Sequence, residues 1–522
     1  IEPATIPAES MKKHLRLFWV FFLFASHSLQ AQTSPDLQKL DTYFEQMVKD
    51  WDVPGASIGI VKDGQLVFTG NYGTKTVGKE EKPDEHTLYA IASNSKAFTS
   101  AVLAMLVQEG KLTWNDRVKD HLPYFSLFDD PWISANVTIR DLLSHRVGLG
   151  TFSGDVIWYK NESTAEDFIK RAGKVPQAFD FRSGYGYSNL MYVTAGEIIR
   201  TITDKTWGEN VQERFLNPLG MDRSITTAKD LDKKRNYVTA HGREEGKNFP
   251  IAFEDWDTIA ATGGLISSVS DVAKWMIFNM NHGIIGQDTL ISRANRNLMW
   301  TVHNVFTVDH TQPNDLGRHF SGYGLGWNLG DFHGKLMVGH TGGYDGMITA
   351  VTMIPEEKLG VVVLTNGHQS PIMAATYYAF DQFLGTGSKD WSGDMLQRSL
   401  ANQANDTRIA DIKKARVLNT KTSLSPSQFA GTYRSDIYGQ IEVKEEKGAL
   451  RLYFEDAPRL SASLKHWHYD TYEIIWDEKH AWFNFGTLQF LLNNKMQVVG
   501  MDFNVPNDDI FFEELKPLKI NP

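Results

Sequence analysis

Apolar residues recur at Leu37, Leu40, Phe44 and Met47. That three-and-four spacing is one face of a helix and predicts an amphipathic element reaching about Trp51. The period then changes. Ala56–Val61 and Leu66–Tyr72 are apolar runs on either side of Asp63-Gly64. Asp-Gly between two such runs predicts a β-hairpin. Ser93–Gln108 returns to helical spacing, with Phe98, Val102, Leu103, Met105 and Leu106 on a wide apolar face, and Leu190–Ile199 reads as a further apolar helix. Leu336–Val338, Met347–Ile354 and Leu359–Leu364 read as strands, the first two separated by Gly339–Gly346 and the last two by the charged turn Pro355–Lys358. Strands near both ends of the first ~390 residues, with helices between, suggest an α/β unit. The pattern leaves open whether those strands join one sheet or two.

Composition shifts after Leu384. Asp390–Thr422 is polar and charged and reads as a helix plus linker. From Pro426 onward come short β-like runs: Gly431–Tyr433, Ile441–Val443, Leu450–Phe454, Tyr472–Trp476, Trp482–Phe485, Leu488–Leu492, Val498–Phe503 and Ile510–Glu513. Such spacing predicts a small all-β barrel or sandwich. Its aromatic residues Trp467, Tyr469, Tyr472, Trp476 and Trp482 read as core filling ahead of a ligand pocket. A length of 522 residues fits this division into a large unit and a small one. The expected boundaries are a leader at 1–31, an α/β unit at 35–388, a linker at 389–425 and a barrel at 426–520. In the leader, Lys12, Lys13 and Arg16 follow Met11, then the apolar run Leu17–Ala25, then small and polar residues to Ala31. This is the pattern of a signal peptide starting at Met11, and predicts a periplasmic or secreted bacterial protein. The run is short of the ~20 residues that span a bilayer. Residues 1–10 show no role.

The net charge is −10, and no basic block follows the leader, which argues against a nucleic-acid partner. There is no cysteine, so disulfides, thiolate catalysis and thiolate metal sites are excluded.

Three short motifs carry chemistry. Ser93-Asn94-Ser95-Lys96 puts a Lys one helical turn after a Ser. A serine hydroxyl needs a base to become a nucleophile, and the free N–H groups of a helix start suit an oxyanion. Alone, the tetrapeptide reads more simply as a capping Ser with a solvated Lys, and Ser10/Lys13 repeats the spacing. In Tyr187-Ser188-Asn189 a Tyr beside the Lys can relay protons, and the Asn can hold a substrate carbonyl and the Lys. Tyr159-Lys160-Asn161 is a rival copy; the later one is preferred because Gly184 and Gly186 precede it and an apolar helix follows. A buried, hydrogen-bonded Tyr is the plainer reading. His340-Thr341-Gly342-Gly343 lies just past an apolar strand, where glycine admits a ligand against the backbone. A tight turn is the simpler account. A second Thr-Gly-Gly, Thr262–Gly264, lacks a preceding cation.

Together, and in this order, the motifs resemble the serine β-lactamase-related family of penicillin-binding carboxypeptidases, D-amino-acid peptidases and esterases. Leu142–His145 with Gly148-Leu149, Asn217–Met221, Gly263–Ser268, Asp271–Trp275 and Tyr323–Trp327 extend the resemblance over about 37–384. Arg146 and Val147 depart from the family's segment. Ala430–Tyr433 makes the last section similar to the lipocalin-like domain of some members. The resemblance implies an α/β fold, with an antiparallel sheet flanked by helices and a helical subdomain. It implies Ser93 as nucleophile, Lys96 as base and Tyr187 as proton relay. The N–H groups of Ser93 and Gly343 would form the oxyanion hole, and Asn189, His340, Thr341 and Gly342 would bind substrate. No metal or organic cofactor is required. Many members have Lys where His340 stands, to bind a substrate carboxylate; a mostly neutral His holds an anion less firmly. The expected activity is therefore a peptidase for D-amino-acid or cell-wall-type peptides. Carboxylesterase and weak β-lactamase activity are alternatives, as is a catalytically silent binding module. The partner is a small molecule or peptide, with no stable membrane span, and the C-terminal section is a candidate for building a homo-oligomer.

Overall fold

The computed structural model describes residues 35–520 apart from 312–313 and 388. The expected leader lies outside the described residues. Helix α1 (Leu37–Asp50) starts where the Asp36 carboxylate accepts the Gln38 and Lys39 N–H groups, and it buries Leu40, Phe44, Met47 and Val48. Strands β1 (Gly55–Lys62) and β2 (Gln65–Gly73) form the expected hairpin, with Asp63 and Gly64 both at positive φ. Helix α2 (Ser95–Gln108) follows a one-turn 3-10 segment, Ala92–Asn94. Next come α3 (Asn189–Thr203) and α4 (Val269–Met280). The chain then lays down β3 (Asn304–Phe306), β4 (Ser321–Tyr323), β5 (Asn328–Phe332), β6 (Lys335–Tyr344), β7 (Met347–Ile354) and β8 (Leu359–Thr365).

These eight strands make one antiparallel sheet in the order β2-β1-β8-β7-β6-β5-β4-β3. The question left by the pattern is thus settled: β1 pairs with β8, Ala56 opposite Thr365 and Lys62 opposite Leu359. Helices α1 and α5 (Ile372–Leu384) cover one face of the sheet with an apolar cluster. Helix α4 packs against β1 and β8, and with α2 and α3 it belongs to a second, larger cluster.

Helix α6 (Trp391–Asn405) leads to the C-terminal section. There β9 (Gly431–Ser435), β10 (Gly439–Glu446), β11 (Ala449–Phe454), β12 (Ala457–His468), β13 (Thr471–Trp476), β14 (Thr487–Leu492), β15 (Val498–Asn504) and β16 (Leu518–Lys519) close into a barrel. Two expectations are corrected. Trp482–Phe485 and Ile510–Glu513 are not strands, and β12, the longest barrel strand, was not read as one. Pro458 and the outward Arg459, Ser461, Ser463 and Lys465 hide the alternation of buried Leu460, Ala462 and Leu464. Trp482 and Phe483 are apolar because they pack against Gly343 and Tyr159 of the α/β unit, while Phe485 packs on Trp467 within the barrel section. The larger apolar cluster continues from the α/β unit into the barrel interior. No helix among the described residues is long and apolar enough to cross a membrane.

Candidate active site

Ser93 sits in the 3-10 turn ahead of α2, two residues before the helix begins at Ser95. Its neighbour Ala92 is fully buried at φ 48°, a left-handed conformation that costs a non-glycine about 1 kcal/mol or more. The turn is pinned from below. Asn94 Nδ2 donates to Ile91 O and to Thr349 Oγ1 on β7, both at 2.9 Å. Strand β6 passes beside it at Gly342, where an added Cβ would lie 2.2 Å from Ile91 O. Only glycine permits that approach. The His340–Gly343 motif is therefore not past a strand end. It lies inside β6, and the hairpin turn comes at Asp345-Gly346. Strand β5 pairs with β6 only as far as Gly339.

Lys96 is fully buried one turn after Ser93. Its Nζ lies 2.9 Å from Ser93 Oγ, 2.8 Å from Asn189 Oδ1 and 2.9 Å from Thr262 O. Burial drives its pKa well below the usual lysine range, against an opposing pull from Asp155. A neutral amine has two N–H bonds and one lone pair. The Thr262 carbonyl and the Asn189 amide oxygen accept only, so they take both N–H groups. The lone pair is left for the Ser93 hydroxyl.

Asn189, the first residue of α3, is oriented by its neighbours. Thr262 Oγ1 donates to its Oδ1 at 2.7 Å. Its Nδ2 donates to Asp155 Oδ2 at 2.6 Å. Asp155 also accepts from Trp158 Nε1 at 2.9 Å. Burial pushes the Asp155 carboxyl up to about 8, opposed by those two hydrogen bonds. Neither Asp155 nor Thr262 was singled out from sequence.

Tyr187 hydrogen-bonds the Ser93 side chain, and burial raises its phenol well above the usual range, so it stands as a neutral hydroxyl. Lys96 Nζ lies 4.8 Å from its ring centroid. The loop that presents it is tight: Gly186 has Leu149 O only 1.7 Å from where a Cβ would be. His145 holds the next step. Its Nδ1 accepts from Ser188 N at 3.1 Å, and its ring centroid lies 4.4 Å from that of Tyr187. The rival Tyr159-Lys160-Asn161 lies elsewhere, at the contact with the barrel: Tyr159 donates to Asp345 Oδ1 at 3.0 Å, and buried Lys160 pairs with Glu254 at 3.1 Å.

Ser93, Tyr187, Asn189, His340, Thr341 and Gly343 line one cleft of about 360 Å³. Two sequence-based assignments change. Gly342 is buried against the Ser93 turn and does not line the cleft. His340 lines it with both nitrogens engaged: Nδ1–H donates to Thr341 O at 2.5 Å, and Nε2 accepts from the Tyr323 hydroxyl at 2.8 Å. Burial and Lys96 lower its pKa to about 3. The ring is neutral and has no spare donor for a substrate. The barrel adds Trp482, Asp509 and Ile510 to the lining; Trp482 comes from the segment read as a strand.

The comparisons agree with this architecture. The unguisins hydrolase ungD' of Aspergillus campestris (strain IBT 28561) is 27% identical over 453 residues, 80% of this chain and 81% of that protein. Protein flp of Staphylococcus aureus (strain MW2) is 30% identical over 346 residues, 64% of each chain. Among solved structures, the octameric penicillin-binding protein homologue from Pyrococcus abyssi superposes with a TM-score of 0.60 at 22% identity, over 93% of this chain and all (100%) of the other. A D-stereospecific amidohydrolase from Streptomyces sp. gives 0.54 at 22% identity, over 68% and 100%. These two show the shared fold. A family described only as a domain of unknown function, DUF3471, matches residues 415–517. The Beta-lactamase family matches residues 40–382, which carry Ser93, Lys96, Tyr187 and β6, and the chain belongs to that family.

Proposed function

We propose that this protein is a serine hydrolase that acylates Ser93 and cleaves amide bonds in peptides containing D-amino acids. The observation that carries the reading is the three-way contact of buried Lys96, which leaves a neutral amine lone pair on Ser93. Lys96 takes the Ser93 proton as Oγ attacks the carbonyl. The N–H groups of Ser93 and Gly343 receive the oxyanion. Tyr187 gives its proton to the leaving amine and regains one from Lys96, the C–N bond breaks, and an ester remains on Ser93. Water then attacks the ester as its proton passes through Tyr187 to neutral Lys96, the acyl C–O bond to Ser93 breaks, the acid leaves, and the proton on Lys96 returns to Ser93 Oγ. The names of the relatives, a hydrolase of unguisins and a D-stereospecific amidohydrolase, fit amide cleavage. A silent binding module has no need of a desolvated lysine, which costs stability to bury.

A fluorophosphonate probe tests the nucleophile without assuming a substrate. Intact-mass analysis is expected to show one adduct on the native protein, none on Ser93→Ala, and labelling slowed at least ~100-fold in Lys96→Ala. A native protein that takes no adduct, or an adduct that survives Ser93→Ala, removes this function.

A further inference from the structure

The barrel carries a carboxylate into the cleft for which the protein supplies no counter-charge. Asp509 lines the same space as Ser93. It is half-buried, and no donor among the described residues bonds its carboxylate. The nearby cation is committed elsewhere: Arg408 pairs with Asp508 at 2.8 Å and with Asp406 at 2.7 Å. The segment is nonetheless held firmly. Asn507 Oδ1 accepts from Asp509 N at 2.9 Å and from Ile510 N at 2.6 Å, and its Nδ2 donates to Val505 O and Ile510 O, both at 2.8 Å. The acid is therefore positioned in advance. Removing a carboxylate from water without a partner is costly, and such a group in a cleft is a recognition candidate.

The rest of the lining points the same way. It contains Asp155 and Asp509 but no Arg or Lys, and its one imidazole, His340, is neutral. Its walls include Trp158, Trp256 and Trp482, faces on which an ammonium group is welcome. A substrate carboxylate meets no cation here.

We propose that Asp509 anchors a free ammonium group on the acyl part of the substrate, so that the enzyme prefers short amine-bearing amides over N-acylated or carboxylate-terminated ones. This rests on the Ser93 reading above. Burial and Asp508 move the Asp509 carboxyl up to about 6, which leaves it largely ionised at neutral pH, where an α-amine of pKa about 8 is still charged.

Competition against fluorophosphonate labelling of Ser93 tests the anchor on the full chain. D-alanine p-nitroanilide is expected to slow labelling at concentrations roughly 10-fold lower than its N-acetyl derivative, the scale of one charge-assisted contact. Asp509→Asn is expected to abolish that difference, read as the ratio of the two protecting concentrations within the variant. Equal protection by the two compounds in the native protein overturns the proposal. So does a preference that persists undiminished in Asp509→Asn. Absence of any Ser93 labelling strikes the hydrolase reading itself, and is distinguished by the mass of the untreated competition control.

Discussion

Lys96 and Asp155 share one amide. Asn189 presents its oxygen to Lys96 and its nitrogen to Asp155, so the acid fixes which end of the amide the base sees. Asp155 also acts through space: once ionised, above about 8, its charge pulls the Lys96 pKa up against desolvation. The working form of Lys96 is neutral, so acylation rises with pH through the Lys96 value and then levels off. With its carboxyl raised to about 8, Asp155 is largely protonated below that pH, so Asp155→Asn is expected to leave the acid limb near its native position. The new amide accepts from only one of Trp158 and Asn189, so Asn189 loses its fixed orientation. The plateau labelling rate is expected to fall ~10-fold or more. The pH profile of Ser93 labelling reads both effects. An unchanged plateau in Asp155→Asn means that Asp155 does not hold the Asn189 amide in its working orientation.

Strand β6 does two jobs with adjacent residues. Gly342 lets the strand lie against Ile91, and Gly343 faces the cleft. Gly342→Ala drives a methyl into the Ile91 carbonyl and parts β6 from the nucleophile turn. Overpacking of this kind costs about 1–3 kcal/mol. The expected result is a lower thermal midpoint together with a ~10-fold or greater loss of Ser93 labelling; a destabilised variant that still labels at the native rate removes the argument. The same element shows what sequence makes legible. The hairpin at Asp63-Gly64, helix α2, and strands β7 and β8 announce themselves through period and turn chemistry. The glycines of β6 read as a turn because glycine signals turns and close approaches alike, and only Ile91 on the neighbouring segment tells them apart. Asp155 carries no local motif: its meaning comes from Asn189, 34 residues away. Thr262 contributes a carbonyl, which every residue has. His340 looked free to bind because nothing in the sequence ties it to Tyr323.

At the scale of the whole chain, the barrel is part of the cleft. It supplies Trp482, Asp509 and Ile510 to the lining, and the contact behind them is charged. Arg459 bridges Glu254 at 2.7 Å and Glu478 at 2.8 Å, and Arg171 meets Asp456 at 2.7 Å. One contact reaches the loop that carries Asp155. Glu514, on the turn after Asp509, accepts from Ser153 Oγ at 2.5 Å and from Gly154 N at 2.7 Å. That loop places Thr151, Phe152 and Asp155 in the cleft, and Gly154 turns it at φ 82°. Glu514→Ala leaves two buried donors without an acceptor, which costs about 1–3 kcal/mol. The loop then loses its hold on Asp155, and through it on Asn189 and Lys96. Ser93 labelling is expected to slow by ~3- to 30-fold, with faster hydrogen exchange over 151–155. Glu514→Gln keeps one acceptor oxygen and is expected to recover part of the rate. Labelling that is unchanged in Glu514→Ala while exchange over the loop rises means that the barrel steadies the loop without tuning the base. Loss of rate with exchange confined to the barrel means that the coupling runs by another path than Gly154.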